Sequence, residues 1–141
     1  MSKKNSEIVR SVLGALSFND DGLIPAIVQQ FDTGEVLMLA WMNREAVQAT
    51  LKEERGIFWS RSRGELWRKG ETSGNVQFLK EFRWDCDNDT ILLQVDQTGF
   101  ACHTGRGNCF FNAVRDDEVR IIAETKSYPD TLFGKKLNLI I

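Results

Sequence analysis

Cysteine is scarce in this sequence and badly placed for cross-linking. The three cysteines follow the spacing C-x15-C-x6-C, with no Cys-x-x-Cys unit. Three thiols cannot all pair within one chain, so reduced cysteines acting as ligands or core residues fit better than a disulfide framework. Basic charge is not in surplus either: 18 Lys and Arg face 20 Asp and Glu, for a net charge of −2. That balance argues against general nucleic-acid or membrane-surface binding. No apolar run approaches the roughly 20 residues that span a bilayer. The opening Met1-Ser2-Lys3-Lys4-Asn5 is not followed by the apolar core of a signal peptide, so a cytoplasmic location is expected. Low-complexity blocks, internal repeats and linkers are also missing. What remains is 141 residues with 42% hydrophobic content, expected to form a single domain over 1–141 with a real core.

Periodicity predicts a β-rich α+β domain with about two helices. Ser6 can cap a short helix whose apolar positions are Ile8, Val9, Val12, Leu13 and Leu16. Asn19-Asp20-Asp21-Gly22 reads as a turn. Ile24 to Phe31 and Glu35 to Trp41 read as strands joined across Asp32-Thr33-Gly34. Asn43 can cap a second helix running through Glu54, with Ala46, Val47, Thr50 and Leu51 facing inward and Gly56 as its stop. Ile57 to Ser60, Val76 to Asp85, Thr90 to Asp96, Cys109 to Val114 and Val119 to Glu124 are strand-like.

The densest chemistry lies in residues 85–109, which hold all three cysteines, the only histidine and three closely spaced carboxylates. Soft thiolates suit zinc, whereas a carboxylate cluster suits a hard cation such as magnesium. Asp85, Asp87 and Asp89 have period two, so an extended segment would project them to one face and Cys86 to the other. An EF-hand loop also begins D-x-D-x-D, but Thr90 stands where that loop needs glycine and both flanks read as strands. A solvated acidic turn is the bland alternative, weakened by the adjacent cysteines. A lone cysteine is most often a small buried hydrophobe. Cys86, Cys102 and Cys109 together supply three zinc ligands and leave one position for water; a structural Cys3His site through His103 is the competing geometry.

His103 would ordinarily be a surface or satisfied core residue. It sits, however, in the glycine-rich segment Thr98–Cys109 beside the thiols, where a histidine is suited to general acid–base work. The stretch Trp59–Asn75 interleaves arginines, a lysine, hydroxyls and glycines with tryptophans. Such a stretch can be an exposed basic hairpin. In an acidic chain with a metal segment it is better explained by phosphate capture and by stacking on a base or ribose.

These segments resemble the phosphoribosyl-AMP cyclohydrolases of histidine biosynthesis. The resemblance runs through Gly22-Leu23-Ile24-Pro25-Ala26, Leu39-Ala40-Trp41-Met42-Asn43 and Phe58-Trp59-Ser60-Arg61-Ser62-Arg63. It continues through Leu66-Trp67, Lys69–Asn75, Asp85–Asp89 and Ala101-Cys102-His103-Thr104-Gly105. Phe100 departs from the family pattern, which usually has proline there, and touches only loop geometry. The resemblance implies a zinc-dependent hydrolase that opens the adenine ring of phosphoribosyl-AMP at N1–C6, without the fused pyrophosphohydrolase domain of some members. It implies an intertwined homodimer with Cys86 of one subunit joining Cys102 and Cys109 of the other on zinc, and Asp85, Asp87 and Asp89 on magnesium. His103 is the expected proton carrier, and Arg61, Ser62, Arg63, Lys69 and Ser73 are the expected phosphate contacts. Zinc base deaminases attack a similar carbon, but their H-x-E and P-C-x-x-C elements are absent. A zinc-stabilised structural or nucleotide-binding module without catalysis is the alternative. A nucleic-acid-binding domain is disfavoured by the acidic balance.

Overall fold

The computed structural model describes residues 6–125. Among them the elements run α1 (Ser6–Ala15), β1 (Ile24–Gln30), β2 (Val36–Met42), α2 (Arg44–Glu53), β3 (Ile57–Ser60), β4 (Glu65–Arg68), β5 (Gln77–Trp84), β6 (Ile91–Gln97), β7 (Asn112–Arg115) and β8 (Glu118–Ile121). This is the expected α+β domain with two helices. None of the described helices is long and apolar enough to cross a membrane.

Four strands form the main sheet in the order β2-β1-β6-β5, with β1 and β6 parallel and both outer pairs antiparallel. Alternation explains which face is covered. Ile24, Ala26 and Val28 of β1 and Ile91, Leu93 and Val95 of β6 are fully buried, and the register sets Ala26 beside Ile91 and Val28 beside Leu93. Val9, Val12 and Leu16 from the α1 segment and Ala46, Val47 and Leu51 of α2 close over that layer in one cluster. The opposite face keeps an apolar row across three strands, Leu39–Ile27–Leu92, in which Leu39 is 46% exposed.

The ends of the elements correct the expectations. Ser6 lies inside the first turn of α1, and the residue before it is outside the described residues. Ile8 stays exposed while Val9 and Val12 are buried. Asn43 caps α2 as expected, its side chain accepting the Ala46 N–H at 2.8 Å. The helix ends at Glu53, however, with Glu54 in the left-handed region at φ 59°. Gly56 is not the stop. It is needed because a Cβ there would lie 2.4 Å from Oε1 of the buried Gln77. Glu65–Arg68 pairs with β3 as a strand that periodicity does not mark. Conversely, β7 begins only at Asn112. The Cys109 N–H is committed to the Leu37 carbonyl and that of Phe110 to the Asn108 side chain.

Val28 pairs with Met38 and Gln29 with Val36, so Leu37 is an extra residue bulged out of the β1–β2 ladder.

Candidate active site

A cavity of about 660 Å³ opens between the β3–β4 hairpin and the loop that precedes β7, a size that suits a nucleotide. The hairpin side brings Arg63, Trp67, Lys69 and Ser73, and the loop side brings Cys102 and His103. Three of the five expected phosphate residues therefore line it. Arg61 and Ser62 do not; Arg61 instead lies over the Trp41 ring at 4.9 Å. Arg63 and Ser73 are exposed at the mouth. Lys69 is the exception among the three. It is only 9% exposed, and its Nζ donates to the Ala101 carbonyl and lies 5.1 Å from the Trp67 ring centroid. Burial pushes its pKa below the ordinary lysine range, opposed by the neighbouring thiols of Cys109 and Cys102.

The hairpin keeps its shape through α2. Arg68 holds Glu53 with two hydrogen bonds, Nη2 to Oε2 at 2.8 Å and Nε to Oε1 at 3.1 Å. That geometry draws the Glu53 carboxyl below its usual range.

The loop is a set of short turns. The Ala101 N–H reaches the Gly107 carbonyl, the Cys102 N–H reaches Arg106, and the Gly105 N–H returns to Cys102. These bonds bring Cys102 and Cys109 within reach of each other. Burial raises the Cys102 thiol, but the hydroxyl and backbone N–H of Thr104 and the Cys109 thiol more than offset it and leave the pKa lowered. The Thr104 Oγ1 donates to its Sγ at 3.1 Å. Cys109 is exposed as a residue, yet desolvation of its sulfur, with the charge of Cys102 beside it, pushes the thiol up to about 11. Cys86 is exposed on the β5–β6 turn. Among the described residues neither it nor His103 lies in a three-ligand group with the other two thiols. Thr104 is a neighbour of the thiols that residue type did not single out; only its position two residues after Cys102 hints at it.

Asp85, Asp87 and Asp89 do converge, with one ligand oxygen from each lying within 4.8 Å of the others. The cause differs from the extended segment expected. Residues 85–89 form a turn in which Asn88 takes φ 68°. The Asn88 N–H closes on the Asp85 carbonyl at 3.1 Å, and the Asp85 N–H on that of Thr90 at 3.0 Å. Some desolvation opposes ionisation of Asp85, but the backbone N–H groups of Asp89 and Thr90 prevail and lower its pKa. Asp87 is raised, first by sharing a hydrogen with Asp89 and then by the charge of Asp85. Three crowded carboxylates flanked by strands are chemistry for a hard cation, without an EF-hand.

Residues 38–111 match the family model for phosphoribosyl-AMP cyclohydrolase. The phosphoribosyl-AMP cyclohydrolase of Rhodospirillum centenum is 57% identical over 128 residues, covering 91% of this chain and 96% of its own. This chain belongs to the phosphoribosyl-AMP cyclohydrolase family. The cyclohydrolase of Paramagnetospirillum magneticum is 58% identical over 125 residues, covering 89% of this chain and 95% of its own. The cyclohydrolase family match contains the β3–β4 hairpin, the acidic turn and all three cysteines.

Proposed function

We propose that this chain opens the adenine ring of phosphoribosyl-AMP at the N1–C6 bond, giving the phosphoribosylformimino carboxamide ribotide in cytoplasmic histidine biosynthesis. The observation that carries this reading is the cavity that sets Cys102 and His103 opposite Arg63 and Ser73. In the substrate, N1 carries a second ribosyl phosphate, which makes C6 electrophilic. Water oxygen bonds to C6, the C6–N1 bond breaks, N1 takes a proton, and the exocyclic nitrogen stays as the carboxamide.

His103 is exposed at the cavity wall, and in this reading it takes the proton from water and returns one to the departing N1. Arg63 and Ser73 hold phosphate at the mouth, while Trp67 offers a ring for stacking. Arg61 and Ser62, in the turn of the same hairpin, are left for the second phosphate. Lys69, directed inward, is the least available of the five for that role.

The donor sets fit two metals. The paired thiols of Cys102 and Cys109 suit zinc, with Cys86 as the third thiolate, and the aspartate turn suits magnesium. Zinc held there would lower the pKa of a bound water towards about 7.

Separation of Cys86 from the other two thiols supports a homodimer in which it serves the partner's site. So does the unpartnered apolar surface. Besides the Leu39–Ile27–Leu92 row, Val114, Val119 and Ile121 on the β7–β8 hairpin are 63–83% exposed, more than a chain that functions alone ordinarily leaves in water.

Absorbance of the purified protein with phosphoribosyl-AMP, with and without a zinc chelator, tests the reading. Ring opening that the chelator abolishes is expected. Cys102→Ser and Cys109→Ser should each lose zinc and turnover, since a hydroxyl substitutes poorly for thiolate. No reaction by the zinc-loaded protein would refute the assignment.

A further inference from the structure

A lysine is almost never buried without a carboxylate partner. Lys69 is buried to 9% exposure, yet no ion pair holds it among the described residues. Its hydrogen-bond acceptor is a backbone oxygen, that of Ala101. Both ends of this contact are fixed. The Lys69 N–H donates to the Gly56 carbonyl at 3.1 Å, and its own carbonyl accepts from Arg55 Nη2 at 3.2 Å. Trp67 lies under the ammonium. Ala101 is itself 1% exposed and opens the turn that carries Cys102 and His103.

We propose that Lys69 is a positioning residue: its ammonium clamps the Ala101 carbonyl, locking the Cys102–His103 turn to the end of β4. The contact joins the two walls of the cavity, the phosphate-side hairpin and the thiol-bearing loop. It also sets a buried cation beside the two loop thiols. A divalent ion with three thiolates carries a net charge of −1, and a fixed cation beside it compensates that charge. This part rests on the metal reading above; the clamp itself rests on the geometry.

The test uses the full-length protein in wild-type, Lys69→Met and Lys69→Arg forms. The methionine keeps the apolar stem and removes the donor. The arginine is an equally good or better phosphate ligand, but its larger planar head cannot occupy the ammonium's place. Two readouts are needed: kcat and KM for phosphoribosyl-AMP, and thiolate-to-metal absorbance on titrating cobalt(II) into metal-free protein. A clamp predicts that both variants lose kcat by about 100-fold, the scale on which a small displacement acts in an active site, with KM within about twofold. It also predicts that Lys69→Met binds cobalt about 10- to 100-fold more weakly, as loss of an outer contact to a metal site does.

A phosphate role predicts the reverse: KM raised tenfold or more in Lys69→Met, near-normal kinetics in Lys69→Arg and an unchanged cobalt titration. That pattern overturns the proposal. If the methionine variant does not fold, Lys69→Arg decides alone, since normal kcat there refutes the clamp. Wild-type protein that binds cobalt through thiolates without turning over phosphoribosyl-AMP would refute the cyclohydrolase reading and leave the cobalt comparison to judge Lys69.

Discussion

Thr50 and Ile57 satisfy one another in both directions: the Thr50 hydroxyl donates to the Ile57 carbonyl at 3.0 Å and accepts the Ile57 N–H at 3.1 Å. Both residues are fully buried. The pair fastens the second turn of α2 to the start of β3, and so sets where the cavity's hairpin leaves the core.

Replacing Thr50 by valine keeps the shape and strands two buried backbone groups. Each unsatisfied group costs about 1–3 kcal/mol, so a loss of at least about 2 kcal/mol is expected. Urea unfolding of Thr50→Val would show it as a lower midpoint with an unchanged slope. A midpoint equal to wild type would mean that the pair contributes nothing.

Gly70 closes the hairpin behind Lys69 with φ 82°, and a Cβ there would lie 2.3 Å from the Asn75 carbonyl carbon. Gly70→Ala therefore meets both a left-handed backbone and a backbone clash, and a loss of about 2–3 kcal/mol is expected. Gly70 and Asn75 both line the cavity, so ring opening should fall with it. Unfolding curves and turnover both indistinguishable from wild type would show that the turn has another conformation available.

At the acidic turn the two metals can be separated. Substituting Asp85, Asp87 and Asp89 together by Asn should weaken magnesium binding and leave about one zinc per subunit. In the cation-free protein the raised Asp87 pKa means that the fold holds this proton more tightly than the unfolded chain. Its contribution to stability therefore falls as pH rises through its range. A bound cation displaces that proton and reverses the sign. Magnesium should accordingly raise the melting temperature more at about pH 7 than at about pH 4.5. Zinc loss with magnesium affinity intact in the triple variant would invert the assignment of hard and soft sites.

The proposed sharing of thiolates between subunits predicts complementation. Cys86→Ser and Cys102→Ser chains, each inactive, are mixed and refolded. With random pairing about half of the dimers are mixed, each with one intact site of two, so roughly a quarter of wild-type activity should return. No recovery, with subunit exchange demonstrated, would place all the zinc ligands in a single chain.

How much of this could be seen in the sequence depends on the range of the forces involved. Local signals held: the Asn43 cap, the inward row Ala46, Val47, Thr50 and Leu51, and the strand-forming content of β1 and β6. The convergence of the three aspartates was legible, though for the wrong reason. Period two assumes an extended chain, and the left-handed Asn88 makes a turn instead. The inward course of Lys69 was not legible, because nothing in a basic run distinguishes one buried ammonium from exposed arginines. Nor was the parallel register of β1 with β6, which is set by side chains about 65 positions apart, such as Ala26 and Ile91. Cys109 read as part of a strand because its neighbours are aromatic. Its N–H instead serves a partner on β2, a pairing no local window contains.

That partner is the bulged residue, Leu37. A regular antiparallel ladder would commit its carbonyl to the neighbouring strand; offset by one residue, it receives the Cys109 N–H at 2.8 Å. The side chain at 37 is buried, 2% exposed, so the residue serves the core with its side chain and the loop with its carbonyl. Deleting one residue of β2 would restore an unbroken ladder and, by the same stroke, withdraw the anchor of a thiol 72 positions away. The defect in the sheet is thus a ruler for the loop that carries Cys102 and Cys109.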